Sequence, residues 1–300
     1  MESPKMDMEI PKPIVQGGMF SVDLNGKTLW FNCKRVFHQS TETHVMLVEP
    51  LNEVEVEVGK QLVLKFVKQQ DVEDPEMLVM RLLNEEKNMV HLKFSVPNFV
   101  HPTLGRSTLL CMKFFELQDL QAELEKGPLA HERALFLANC VLDLLNRLLS
   151  KFDLVHQDIK AENIFMDQHG NPHLGDFGQV IKRTSFTTFP VGTPDYMAPE
   201  VRNLRSNKGK VNPEKAAVFS LGILFWSLWF NCYPFSQKSG EYRGFSEDWD
   251  ASYLLEKFNV NFDFDYDEEL TDLLNRMLQR DPKNRPSMEE VVLAFAVLNK

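Results

Sequence analysis

The most apolar stretch in the chain is "LGILFWSLWF", Leu221 to Phe230. It carries no charge, and Ser227 is its one hydrophilic side chain, so a helix built from it has to be enclosed by other elements. Ten residues fall short of the roughly 20 that a membrane-spanning helix needs, and the length suits a core helix. No other stretch is as apolar, so no membrane-spanning segment is expected. The N-terminal "MESPKMDMEIPKP" has no apolar run, and no signal peptide is read there.

Upstream of this helix the periodicity changes. From about Thr28 to Val67, "TLWFNCKRVF", "HVMLVEP", "EVEVEV" and "QLVLKFV" alternate or are β-branched, which is strand patterning. "VGKQ", Val58 to Gln61, reads as a hairpin turn. A helix is expected from Pro75 to Leu92, with Leu78, Leu82, Glu85, Met89 and Leu92 on one inward face. "STLLCMKFF" returns to strand. After Gln118 the pattern is helical: "HERALFLANCVLDLLNRLLSKF", "AAVFSLGILFWSLWF", "DEELTDLLNRMLQ" and "SMEEVVLAFAVL". "RNLRSNKGKVNPE", "SQKSGEYRGFSEDWD" and the acidic "DFDYDEEL" read as surface segments. The expected class is α+β: a small strand-rich lobe with one helix, about 28–112, and a larger helical lobe, about 116–300. Residues 1–27 are expected to be an N-terminal arm or extension.

A net charge of −10 excludes a general nucleic-acid binder, which needs surplus Lys and Arg. The four cysteines, Cys33, Cys111, Cys140 and Cys232, form no CxxC pair, so neither a zinc site nor a dense disulfide framework is expected.

The chemistry-bearing segment is "VHQDIKAENIF", Val155 to Phe165. It sets Asp158, Lys160 and Asn163 at offsets of zero, two and five. Phosphoryl transfer is mostly positioning and charge neutralisation, and this set supplies both. Asp158 can orient a substrate hydroxyl, Lys160 can stabilise the transferring phosphoryl group, and Asn163 can give an oxygen to a metal. "LGDFGQ" follows, with Asp176 eighteen residues after Asp158. Hard oxygens from Asp176 and Asn163 suit Mg²⁺. "LVLKF" places Lys65 on a strand, where a buried ammonium needs a carboxylate. Glu85, twenty residues on, is the expected partner, with Glu86 as its rival. Taken alone, Lys65 reads more simply as a surface lysine, and either loop motif alone as a polar loop. Together and in this order they point to one site.

With these segments in view, the chain resembles a eukaryotic-type protein kinase over roughly Thr28 to Leu298. "GTPDYMAPEV", with Thr193 and Glu200, is similar to the family's substrate-facing loop. "RDPKNRPSMEEVV" carries Arg285, the expected partner of Glu200. The resemblance implies a bilobal kinase fold whose small lobe holds an antiparallel sheet, ATP and Mg²⁺ as cofactors, and a protein substrate with a Ser or Thr acceptor. It implies Lys65, Glu85, Met112 (the gatekeeper), Asn163 and Asp176 around the nucleotide, and Asp158 and Lys160 as catalytic groups.

The departures are specific. No glycine lies between Gly26 and Gly59, where the family carries a glycine flap that lets backbone approach phosphate. "GKTLWF" and "QGGMF" lie about ten residues or more too far upstream to serve. Gln157 stands where an arginine usually anchors an activation-loop phosphate. Ala217 stands where a buried Asp usually holds the catalytic loop. Val63 and Phe165 occupy the positions usually held by Ala and Leu above and below adenine. Thr184, Ser185, Thr187 and Thr188 are the hydroxyls of the activation segment. The missing glycines and the Leu228-Trp229 pair are similar to divergent secreted apicomplexan kinases, the rhoptry-like and with-no-Gly-loop type that includes a bradyzoite pseudokinase. That finer resemblance implies a secreted protein at a parasite vacuole or cyst wall. Two readings follow: an active Ser/Thr kinase with a divergent nucleotide site, or a pseudokinase acting as a nucleotide-binding or scaffold module.

Overall fold

The computed structural model describes residues 14–52, 61–69, 73–204, 209–232, 234 and 268–298. The expected "EVEVEV" strand, most of the "VGKQ" turn, "SQKSGEYRGFSEDWD" and the "DFDYD" run lie outside the described residues. The chain divides into two compact units, Met1–Phe114 and Phe115–Lys300.

Among the described residues the first unit contains a six-stranded antiparallel sheet of order β1-β2-β3-β4-β6-β5. Its strands are β1 (Met19–Leu24), β2 (Lys27–Gln39), β3 (Thr43–Pro50), β4 (Leu62–Lys68), β5 (Leu92–His101) and β6 (Gly105–Lys113). Its first strand lies within the stretch 1–27 read as an N-terminal arm or extension, so residues 19–24 of that stretch belong to the sheet. Asn25 and Gly26, both with positive φ (50° and 79°), make a two-residue turn, and β1 pairs with β2 from Met19↔Asn32 to Leu24↔Lys27. Asn-Gly between alternating strands favours this hairpin. In β4, Leu62, Leu64 and Phe66 point into a core with Val22, Leu29, Phe31, Met46 and Cys111. The alternate residues, Val63 and Lys65, occupy the opposite face.

The helix expected from Pro75 to Leu92 is α1, Pro75–Leu82, only eight residues long. Asp74 starts it, its side chain accepting from the Met77 amide, and Pro75 takes the first turn. The chain then turns through Asn84 to Asn88, whose φ is +60°, and enters β5 at Leu92. The inward face is also rotated from the expected one. Glu76, Met77, Met80 and Leu83 are buried, whereas Leu78 and Leu82 are 44% and 54% exposed. Met77, Met80 and Leu83 are spaced three apart and suit a helix face as well as the leucines do.

The second unit contains α2 (Leu120–Leu124), α3 (His131–Phe152), four three-residue strands, α4 (Pro199–Arg202), α5 (Pro213–Phe230), α6 (Glu268–Met277) and α7 (Met288–Leu298). The strands are β7 (Leu154–His156), β8 (Ile164–Met166), β9 (Pro172–Leu174) and β10 (Val180–Lys182), paired β7 with β10 and β8 with β9. α3 buries the stripe Ala134, Leu137, Ala138, Val141, Leu145 and Leu148, and Asp153 in the left-handed region ends it. Ser287 and Glu290 cap α7 reciprocally. α5 is the expected enclosed helix, with no exposed residue. Its Leu228-Trp229 pair packs: Leu228 is fully buried, and Trp229 donates to His131 Nδ1 (3.3 Å). Among the described residues no helix is long and apolar enough to cross a membrane.

Arg285 is fully buried, and the expected partner is in place. Its two terminal nitrogens meet the Glu200 carboxylate at 2.6 and 2.8 Å. Nε donates to the Gln279 carbonyl, the other donors reach the Lys215 and Arg280 carbonyls, and the guanidinium lies over Phe219. All five N–H donors are therefore engaged, a fork that lysine cannot reproduce. Arg285→Ala leaves the Glu200 carboxylate and three carbonyls without this partner. It should destabilise the fold by about 3–5 kcal/mol in chemical denaturation, with Arg285→Lys recovering only part.

Candidate active site

The two strand pairs of the second unit hold two loops. β7 leads into residues 157–163, which end at β8; β9 leads into 175–179, which end at β10. The pairings Val180↔His156 and Ile164↔Leu174 fix the roots of both loops. A hydrogen bond from the Gly175 amide to the Asn163 carbonyl (3.0 Å) joins them directly. His156 lies beneath. Its Nδ1 accepts the Asp158 amide (3.1 Å), and its Nε2 donates to the Gly175 carbonyl (3.2 Å). Burial pushes its pKa below the ordinary value, which suits this neutral form with one donor and one acceptor.

Asp158, Lys160 and Asn163 converge as the spacing implies. Lys160 Nζ is 3.0 Å from Asp158 Oδ2, and Asn163 Nδ2 donates to the Asp158 carbonyl (2.8 Å) and to Oδ2 (3.3 Å). Thr193 completes the group. Its hydroxyl donates to Asp158 Oδ1 and accepts from Lys160 Nζ, both at 2.8 Å. Gly192, beside it, has φ +96°, and a Cβ there would lie 2.7 Å from the Gln157 carbonyl. Only a glycine allows so close an approach in that backbone conformation.

Asp176 heads the second loop in the left-handed region (φ 55°), with Phe177 buried behind it. Asn163 Nδ2 is occupied by Asp158, which leaves Oδ1 as its donor atom for a cation. A carboxylate and an amide oxygen on two loops tied by one backbone hydrogen bond are a donor set that fits Mg²⁺. Phe165 in β8 stacks on Phe115, with ring centroids 5.6 Å apart.

In the first unit, Val63 and Lys65 of β4 pair across the sheet with Met112 and Leu110 of β6. Directly opposed residues share a face, so Val63, Lys65 and Met112 lie together. The structure corrects the partner of Lys65. Its ammonium is 2.8 Å from both carboxylate oxygens of Glu76, in the first turn of α1, and Glu76 is 4% exposed. Glu85 lies beyond the end of α1 and is exposed. The sequence signal for Glu76 was its place two residues after the helix-starting Asp74, in step with buried Met77, Met80 and Leu83.

The turn where a glycine flap is expected joins β2 to β3 at Ser40–Glu42. The Ser40 hydroxyl accepts from the Thr43 amide (3.0 Å) and the Glu42 amide (3.3 Å). With the Ser40 amide donating to the Thr43 carbonyl (2.9 Å), three amides of this turn, those of Ser40, Glu42 and Thr43, are bonded within it. The Glu42 carboxylate at its tip pairs with Lys68 (3.2 Å). Beside Ala217 a gap of about 10 Å³ is lined by Gln157, Asp158, Gly192, Tyr196 and Ser220, room for about one water.

Residues 51–294 match the model of the protein kinase domain. The chain is 30% identical over 250 residues to the "Probable cell cycle serine/threonine-protein kinase CDC5 homolog" of Encephalitozoon cuniculi, covering 79% of this chain and 49% of that protein. It is 34% identical over 142 residues to human serine/threonine-protein kinase Nek2, covering 46% and 29%. It is 31% identical over 145 residues to the Aurora kinase of Schizosaccharomyces pombe, covering 48% and 38%. The chain thus spans half or less of the length of these relatives.

The Lys65 pairing gives a direct test. Glu76→Gln removes a charge partner of a largely buried ammonium and should lower stability by about 1–3 kcal/mol. Glu85→Gln, on the exposed turn, should stay within about 0.5 kcal/mol of the parent. Equilibrium denaturation of both variants reads the difference.

Proposed function

The chain belongs to the protein kinase domain family, and from that premise we propose that it is an active kinase transferring the ATP γ-phosphoryl group to serine or threonine hydroxyls of a protein. The observation that carries this reading is the closed hydrogen-bonded group of Asp158, Lys160, Asn163 and Thr193. A relic under no catalytic demand has no physical need to bring these four side chains together.

In this reading Asp158 holds the acceptor hydroxyl and takes its proton as the new O–P bond forms and the bond from the γ-phosphorus to the β,γ-bridging oxygen breaks, releasing ADP. Lys160, 3.0 Å from Asp158, offsets the charge on the transferring group. Asn163 and Asp176 would hold Mg²⁺, which neutralises phosphate charge when bound. Lys65, fixed by Glu76 in the first unit, is a cation of the kind that phosphate binding calls for. Met112 and Val63 share the face of Lys65 in the first unit.

A second reading, a pseudokinase that keeps the fold as a nucleotide-binding or scaffold module, is favoured by two observations. The Ser40 turn keeps its own amides, and Ala217 leaves the catalytic loop without a carboxylate from α5. The finer kinship with secreted kinases lacking a glycine loop rests on the glycine-free stretch 27–58 and on Leu228-Trp229. Under it the compartment would be secretory.

The deciding experiment is phosphate transfer from labelled ATP to a generic basic protein, comparing the parent with Asp158→Asn. The enzyme reading expects the variant to lose about 10²–10⁴-fold in kcat. Equal transfer by both proteins, or none by the parent, would leave the pseudokinase reading standing.

A further inference from the structure

Gln157 precedes Asp158 in the catalytic loop and is 8% exposed. Both ends of its side-chain amide are used. Nε2 donates to the Pro213 carbonyl in the first turn of α5 (3.2 Å), and Oε1 accepts from the Thr187 hydroxyl (3.0 Å). The orientation of the amide follows from its partners, since a carbonyl can only accept and must face the NH₂ end. Thr187 is itself 5% exposed, and its backbone exchanges two hydrogen bonds with Val211, at 3.1 and 3.2 Å, two residues before Pro213. One neutral side chain therefore joins the catalytic loop, the activation segment and the start of α5.

The segment returns to the same loop six residues later. There Thr193 bonds Asp158, and Gly192 leaves no room for a Cβ beside the Gln157 carbonyl. Adjacent residues of the catalytic loop thus hold adjacent anchors of the segment: Gln157 takes Thr187, and Asp158 takes Thr193. A phosphate on Thr187 would bring roughly two negative charges against an amide oxygen in a closed site. Thr184, Ser185 and Thr188 are exposed, and the nearby Arg183 is 3.0 Å from Asp153.

We propose that Gln157 and Thr187 form a neutral latch that sets the activation segment in its working position without phosphorylation. They act as positioning residues for the transfer reaction, and in that respect the inference rests on the kinase reading above. The latch works through Thr193 and Asp158, so its loss should slow turnover and leave ATP recognition alone.

The test uses the full chain after phosphatase treatment, with Thr187→Val, which keeps the shape and removes the hydroxyl, and Thr187→Ser, which restores it. Amide hydrogen exchange over 183–198 is read beside kcat and the KM for ATP. The expected result is faster exchange and at least a tenfold fall in kcat for the valine variant, with KM for ATP within twofold. The serine variant and the phosphatase-treated parent should both match the untreated parent within about threefold in kcat. A valine variant that exchanges and turns over like the parent overturns the latch, as does a tenfold loss on phosphatase treatment. Should the parent transfer no phosphate at all, the kinase reading fails, while the exchange comparison still decides whether the latch holds the segment.

Discussion

The second unit depends on a helix with nowhere to face solvent. Fourteen of the eighteen residues of α5 are buried and none is exposed, so α3, α6 and α7 have to enclose it. The consequence for chemistry lies at its N-terminal half. Pro213 offers a carbonyl to Gln157, Lys215 offers one to Arg285, and Ser220 donates to the Tyr196 carbonyl at 2.8 Å. Tyr196 in turn faces the Ala161 amide. A rigid apolar rod thus becomes the common support for the catalytic loop, the activation segment and the Glu200–Arg285 pair. A loop carries backbone polar groups that cannot be buried without partners, and here the helix supplies them.

Two charged devices expected from the family resemblance are replaced by neutral ones. A carboxylate at position 217 is absent, and a glutamine stands at 157 in place of an arginine. The structure ties the same loop to the same helix with an amide. Neutral hydrogen bonds are individually weaker than charge-assisted ones, but they need no counter-ion and do not wait for a modification. The Ser40 turn follows a parallel logic in the first unit: it closes on its own amides where a glycine turn would leave them for a ligand.

The strands β2, β3 and β4 were legible because alternation with one buried face leaves little choice of register. α3 and α5 were legible from their apolar periodicity and length, and the Asp158, Lys160 and Asn163 cluster from spacing alone. α1 was not, because its Leu- and Met-rich sequence offers more than one apolar face and the positive-φ turn at Asn88 is a local event. A helix continued to Leu92 would put Glu85 in the place that Glu76 takes. β1 was missed because a Pro-rich start masked a six-residue strand whose partner is found only by pairing. Gln157 could be read as a missing charge but not as a bridge, since its partners lie 30 and 56 residues away.

Under the proposed function, an active chain would keep its metal and base set and rely on the cation where the Ser40 turn keeps its own amides. Calorimetric titration of ATP into the full chain, with and without Mg²⁺, tests this most directly. Lost amide bonds to phosphate are worth roughly 1.5–3 kcal/mol each, so binding should be weak and steeply Mg²⁺-dependent. Asp176→Ala should abolish the Mg²⁺ effect, and single alanine substitutions from Gln39 to Val48 should change affinity less than it does. Tight ATP binding that is indifferent to both Mg²⁺ and Asp176 would contradict the account.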